Sequence, residues 1–112
     1  MELVGAICDA PRALVFISVP WSMSERHGRQ VFRAAASILE EKHADLGIAF
    51  FRLEVDEDET SQQWLISVGY PQFAGTGAGS LLWLQSGRVL AAEINALSLG
   101  TSGIVARSMS FW

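Results

Sequence analysis

Side chains able to do chemistry are sparse in this chain. It has one cysteine, Cys8, and two histidines, His27 and His43. The most suggestive arrangement is Trp21-Ser22-Met23-Ser24-Glu25. It follows an apolar run, Ala13-Leu14-Val15-Phe16-Ile17-Ser18-Val19, and Pro20, and it precedes a long helical pattern. A strand that feeds directly into a helix leaves unpaired N–H groups and a partial positive charge at the helix tip. Such a tip activates a thiol placed there. Here it offers hydroxyls and a carboxylate, with no cysteine or lysine and no imidazole before His27.

A nucleophilic Ser22 would need a base within reach and an oxyanion hole. His27 lies further along the same helix, rotated away from its tip, and His43 is near the opposite end. Ser22-x-x-Glu25 instead matches a capping box, in which hydroxyl and carboxylate satisfy each other's backbone N–H groups. Cys8 reads as a small buried apolar side chain, the alternative being a peroxidase-like or redox-sensing thiol. The cysteine and histidines are too scattered for a metal set, so no metal and no cofactor is expected. Asp56-Glu57-Asp58-Glu59 precedes a short helix and complements its dipole. The run lacks the glycine and spacing of a calcium loop. Gly75, Gly77 and Gly79 are followed by a strand and by no Gly-Lys-Ser/Thr, which excludes a phosphate loop.

The elements that position these groups follow from periodicity. Residues 2–8 form a short helix closed by Pro11. Residues 13–19, apolar on both faces, form a covered central strand. From Ser22 an apolar stripe at Val31, Ala35, Ile38 and Leu39, with Phe32 and Ala36 beside it, marks a long helix. Gly47 is its expected stop. Residues 48–55 are a second strand and 60–68 a short helix carrying Trp64, Leu65 and Val68. Residues 69–79 are a loop. Residues 80–84 and 89–94 are strands joined by a tight Gln85-Ser86-Gly87-Arg88 turn. A last helix from Thr101 ends at Phe111-Trp112. The sequence predicts an α/β fold: a mixed four-stranded sheet, with a right-handed parallel βαβ unit and an antiparallel hairpin.

The 112 residues suffice for one domain, residues 1–112, and not for two. Half of the residues are apolar, which is a globular composition. Eight basic against twelve acidic residues give a net charge of −4, so nucleic acid and anionic membranes are poor partners. Arg26, Arg29 and Arg33 read as a solvated helix face. The apolar runs are too short to cross a bilayer and no secretory signal is visible. A lone thiol forms no internal disulfide, and a soluble, cytoplasmic protein is expected.

In this order the local sequences resemble the thioredoxin family across roughly residues 3–105. Trp21-Ser22-Met23-Ser24-Glu25 falls where thioredoxins carry Trp-Cys-Gly-Pro-Cys. Leu53-Glu54-Val55-Asp56 resembles the family's strand end with its Asp. Gly77-Ala78-Gly79-Ser80 is similar to the Gly-Ile-Pro-Thr segment, and Ser86-Gly87-Arg88-Val89 to the family's hairpin. The resemblance implies a three-layer α/β/α architecture, here with a shortened N-terminus that lacks the family's first strand. It also implies that Ser22 and Glu25 stand at the two cysteine positions, Gly79 at the cis-proline and Phe16 at the buried aspartate. Dithiol exchange needs a thiolate attacker and a second thiol. Neither is present at this place, so the chain is not expected to be a dithiol oxidoreductase.

The expected role is a redox-inactive binding module. It would hold a protein or extended peptide against Trp21, Ser22, Met23, Ser24 and Glu25 beside Ala78 and Gly79. Trp and Met suit an adaptable apolar contact, though Trp21 equally fits packing at the edge of the fold. Phe111 and Trp112 are either an exposed anchor for a homodimer or fold back on the core.

Overall fold

The computed structural model describes residues 2–18, 23–55, 59–74 and 79–112. Four helices and four strands alternate in the expected order: α1 (Glu2–Asp9), β1 (Arg12–Ser18), α2 (Met23–Lys42), β2 (Ala49–Glu54), α3 (Glu59–Ser67), β3 (Ser80–Gln85), β4 (Arg88–Glu93) and α4 (Ala96–Phe111). The sheet order is β2-β1-β3-β4. β1 runs parallel to β2, with Ala13 opposite Ala49 and Ser18 opposite Glu54. It runs antiparallel to β3, with Ile17 opposite Ser80.

Period-two alternation divides the sheet residues between two cores. Ala13, Val15, Ile17, Leu53, Leu82 and Leu84 face α1 and α3, where Ile7, Trp64 and Leu65 meet them. Leu14, Phe16, Leu81 and Trp83 face α2 and α4, where Phe32, Ala35 and Ile104 meet them. The first core is mostly aliphatic. The second is aromatic, with Phe16 stacked on Phe32 at 5.2 Å and Phe50 edge-on to Phe32 at 6.4 Å. Both faces of β1 are thus covered, as its unbroken apolar run requires.

The hairpin turn has positive φ at both central residues, Ser86 at 50° and Gly87 at 82°, which is the twist-compatible primed turn. Gly47 takes the left-handed conformation, φ 65°, after a 3-10 turn at Ala44–Leu46. The 69–79 segment, expected as a loop, contains a further 3-10 turn at Pro71–Ala74, which buries Phe73 against the first core.

The last helix starts earlier than expected. Asn95 caps it, its side-chain oxygen accepting from the Ser98 N–H at 3.1 Å. Gly100, at φ 79° and ψ 165°, then breaks the helical path, so a short turn precedes the longer helical piece. Residue 101, the start expected from sequence, is where that longer piece begins. Phe111 and Trp112 fold back on the second core. Phe111 lies edge-on to Trp83 at 5.8 Å, and Trp112 edge-on to Phe111 at 6.4 Å.

Candidate functional site

The strand directions bring several chain segments to one end of the sheet. β1 and β2 both finish there, at Ser18 and Glu54, β3 begins there at Ser80, and β4 finishes there at Glu93. The Ser18 carbonyl accepts from the Val55 N–H at 3.3 Å, closing the parallel pair at its last rung. Five residues after Ser18, α2 opens at Met23. That helix start and the Gly79-Ser80 step therefore flank the same strand end.

Gly79 is buried with φ 76°, a conformation that costs an L side chain about 1–2 kcal/mol. Its carbonyl accepts from the Ala96 N–H at 2.8 Å, which ties it to the first turn of α4. The Ser80 hydroxyl donates to the Ile94 carbonyl at 2.8 Å. These two bonds hold the β4–α4 link against the start of β3. Proline, the residue suggested here by the resemblance, fixes a negative φ and does not fit this backbone.

The polar groups at this end are engaged among themselves. The Arg52 Nε donates to the buried Ser18 hydroxyl at 3.2 Å, and its Nη2 pairs with Glu54 at 3.1 Å. Arg107 reaches from α4 to Glu93 at 3.1 Å while its guanidinium lies 5.2 Å from the Trp83 ring centre. Glu93 also accepts from the Asn95 N–H at 3.2 Å.

Three large apolar side chains at this end are exposed. Met23, Ile94 and Leu97 are 65%, 50% and 43% exposed, and all three border this end. The other exposed large apolar side chains among the described residues, Ile66, Leu90 and Met109, are spread over α3, β4 and α4. Met23 and Gly79 are expected site residues, and the fold brings their segments to one end. Ser24 and Glu25 lie in the first turn of α2, though their side chains are outside the described part of the structure. Trp21, Ser22 and Ala78 lie outside the described residues, as does the hydroxyl half of the expected capping box and the acidic positions 56–58. Sequence reasoning missed Ile94 and Leu97. Residue type gives no signal for their exposure, since Ile and Leu are among the residues most often buried.

The other reactive side chains sit elsewhere. Phe16 is fully buried in the aromatic core, stacked on Phe32. Cys8 is half-buried on α1, packed against the aliphatic core. It lies at the opposite end of the sheet, under the hairpin turn, where a β-carbon on Gly87 would come 3.2 Å from the Cys8 carbonyl oxygen. The length of β1, about 20 Å, separates it from the α2 start. His27 is exposed on α2. His43 lines an open recess of about 190 Å³ with Leu39, Glu40, Ile48 and Phe50, also at the far end. Among the described residues no three His, Cys, Asp or Glu side chains come together as a metal site would require. No helix among them is long and apolar enough to cross a membrane.

No protein-family model and no curated protein matches the chain. Among solved structures, that of Fasciola hepatica thioredoxin is similar, with a TM-score of 0.60 at 14% sequence identity, over 96% of this chain and 88% of that one. The chain therefore has a thioredoxin-like fold, an α/β arrangement with a mixed four-stranded sheet.

Proposed function

We propose that the chain is a single thioredoxin-like domain that has no dithiol chemistry and binds an extended peptide at the end of the sheet where β1 and β2 finish. The contact surface is Trp21, Ser22, Met23, Ser24 and Glu25 with Ala78 and Gly79, widened by Ile94 and Leu97. One observation carries this reading: uncommitted apolar side chains border the end that lacks a thiol, and the only thiol is packed at the other end. Met adapts to varied apolar partners, and Ile and Leu provide fixed contact area. Gly79 has no side chain to keep a second backbone away, which suits an extended partner lying beside it in the manner of strand pairing.

Redox inactivity rests on elementary chemistry. A helix tip lowers the pKa of a thiol into the working range. The same influence leaves a serine hydroxyl protonated, and an oxygen there has no disulfide to exchange. The test pairs two measurements. Chemical-shift titration with S-carboxymethylated insulin B chain, an extended probe without free thiols, should move the amides of Met23, Gly79, Ile94 and Leu97. Insulin reduction by dithiothreitol should proceed no faster with the protein than without it. Shifts scattered over α1, α3 and the far turn, or catalysed reduction, would refute the proposal.

A further inference from the structure

The two edges of the sheet differ. On β4 the register slips between Trp83 and Leu84, so that Leu90 is an extra residue and the edge is bulged. Bulges keep an edge from accepting another strand. β2, the opposite edge, pairs with β1 in an unbroken register from Ala49 to Glu54 and, among the described residues, has no strand on its outer side. It contains no proline and no lysine, which are other common means of protecting an edge.

The direction of its free groups follows from one bond. The Val55 N–H points at the Ser18 carbonyl, so by alternation Phe51 and Leu53 also turn their main-chain groups toward β1. Phe50, Arg52 and Glu54 turn theirs outward. A two-fold axis joining two such strands antiparallel must set residues of equal parity opposite each other, because both copies then present the same face. Three registers are short enough to consider. An axis at Arg52 sets Arg52 against itself, and like charges directly opposite are unfavourable. An axis at Phe51 sets Arg52 opposite Phe50. An axis at Leu53 sets Arg52 opposite Glu54 twice. There both residues have outward main-chain groups, so each pair exchanges two backbone hydrogen bonds and adds an opposite-charge contact. Arg52 and Glu54 lie on the same face of β2, are 36% and 59% exposed, and are bridged at 3.1 Å.

We infer that the outer edge of β2 is a self-association surface, on which a second copy of this chain pairs antiparallel about Leu53 to make one continuous eight-stranded sheet. The contact leaves Met23, Gly79, Ile94 and Leu97 free, because they lie on or beyond β1, β3 and β4. It is independent of the peptide-binding proposal.

The experiment is sedimentation equilibrium over a concentration series, with circular dichroism to confirm folding. The wild-type chain should shift from 12.2 kDa toward twice that mass as concentration rises. Arg52→Glu alone and Glu54→Arg alone each set like charges across the axis and should weaken dimerisation roughly tenfold or more. The double variant, Arg52→Glu with Glu54→Arg, restores the opposite pairs and should recover the wild-type constant. Trp112→Ala, at the other aromatic candidate for self-contact, should leave it unchanged. A wild-type chain that stays monomeric at millimolar concentration overturns the inference. So does a dimer indifferent to the single swaps, a double swap that fails to recover, or a dimer lost in Trp112→Ala.

Discussion

The two ends of the sheet are built for different tasks. At the far end the Ser86-Gly87 turn closes on the backbone of Cys8, and the Arg12 guanidinium donates to the Leu46 carbonyl at 2.8 Å. Side chains there are used to hold the chain together. At the near end the holding is done by main chain and polar groups, namely Gly79, Ser80, the Asn95 cap and the Arg52 and Arg107 ion pairs, and large apolar side chains stay exposed. A surface that binds needs a rigid support that does not consume the groups that make contact. The near end meets that condition, and the far end does not.

Substitutions can break this contrast, and the largest effect is expected between the ends. Phe16→Asp puts a carboxylate into the aromatic core and should cost about 3 kcal/mol or more in urea-denaturation stability, since burial of an unpaired charge adds to the loss of the ring. At the far end Gly87→Ala should cost about 2 kcal/mol, because strain at positive φ adds to a backbone contact at Cys8 that cannot give way easily. The same measurement on Asn95→Ala at the near end should show a loss of about 1 kcal/mol, the usual value of a helix cap. Ile94→Ser with Leu97→Ser should change stability by under about 0.5 kcal/mol, since both side chains are exposed, while binding of the carboxymethylated probe peptide falls. Cys8→Ser should show the reverse: a small stability loss of about 1 kcal/mol with peptide binding unchanged. If Cys8→Ser weakened peptide binding and the Ile94 and Leu97 changes did not, the assignment of the two ends would have to be exchanged.

Much of this arrangement is legible in the sequence because local and global signals agree there. The run before Pro20 is apolar on both faces because β1 is central, and the stripe along α2 marks the side that meets β1 and α4. The Ser86-Gly87 turn announces itself by residue type. Met23 and Gly79 could be placed from the strand-to-helix step and the order of elements. The start of α4 was hidden because Ala96, Leu97 and Leu99 continue the apolar character of β4, and Gly100 imitates a boundary. Exposure at Ile94 and Leu97 is not a property of residue type at all. Both residues lie just beyond the last paired residue of β4, on either side of the Asn95 cap, where the sheet no longer covers them. The fate of Phe111 and Trp112 was likewise undetermined by sequence, since an aromatic terminus packs equally well on its own core or on another's. Here the Trp83 ring, reached across α4, decides it.

Ser108 lies inside α4, a position where its residue type contributes little to helix formation. Its hydroxyl donates to the Ile104 carbonyl and accepts from the Trp83 indole, each at 2.8 Å, in a fully buried setting. That oxygen acts as an index pin. Rotating or sliding the helix by one residue would strand the indole N–H without a partner, so the rod has a single permitted setting against the sheet. The piece of α4 after Gly100 is thereby set against the sheet, while the turn before Gly100, where Leu97 projects, is placed separately by the Asn95 cap and the Ala96–Gly79 bond.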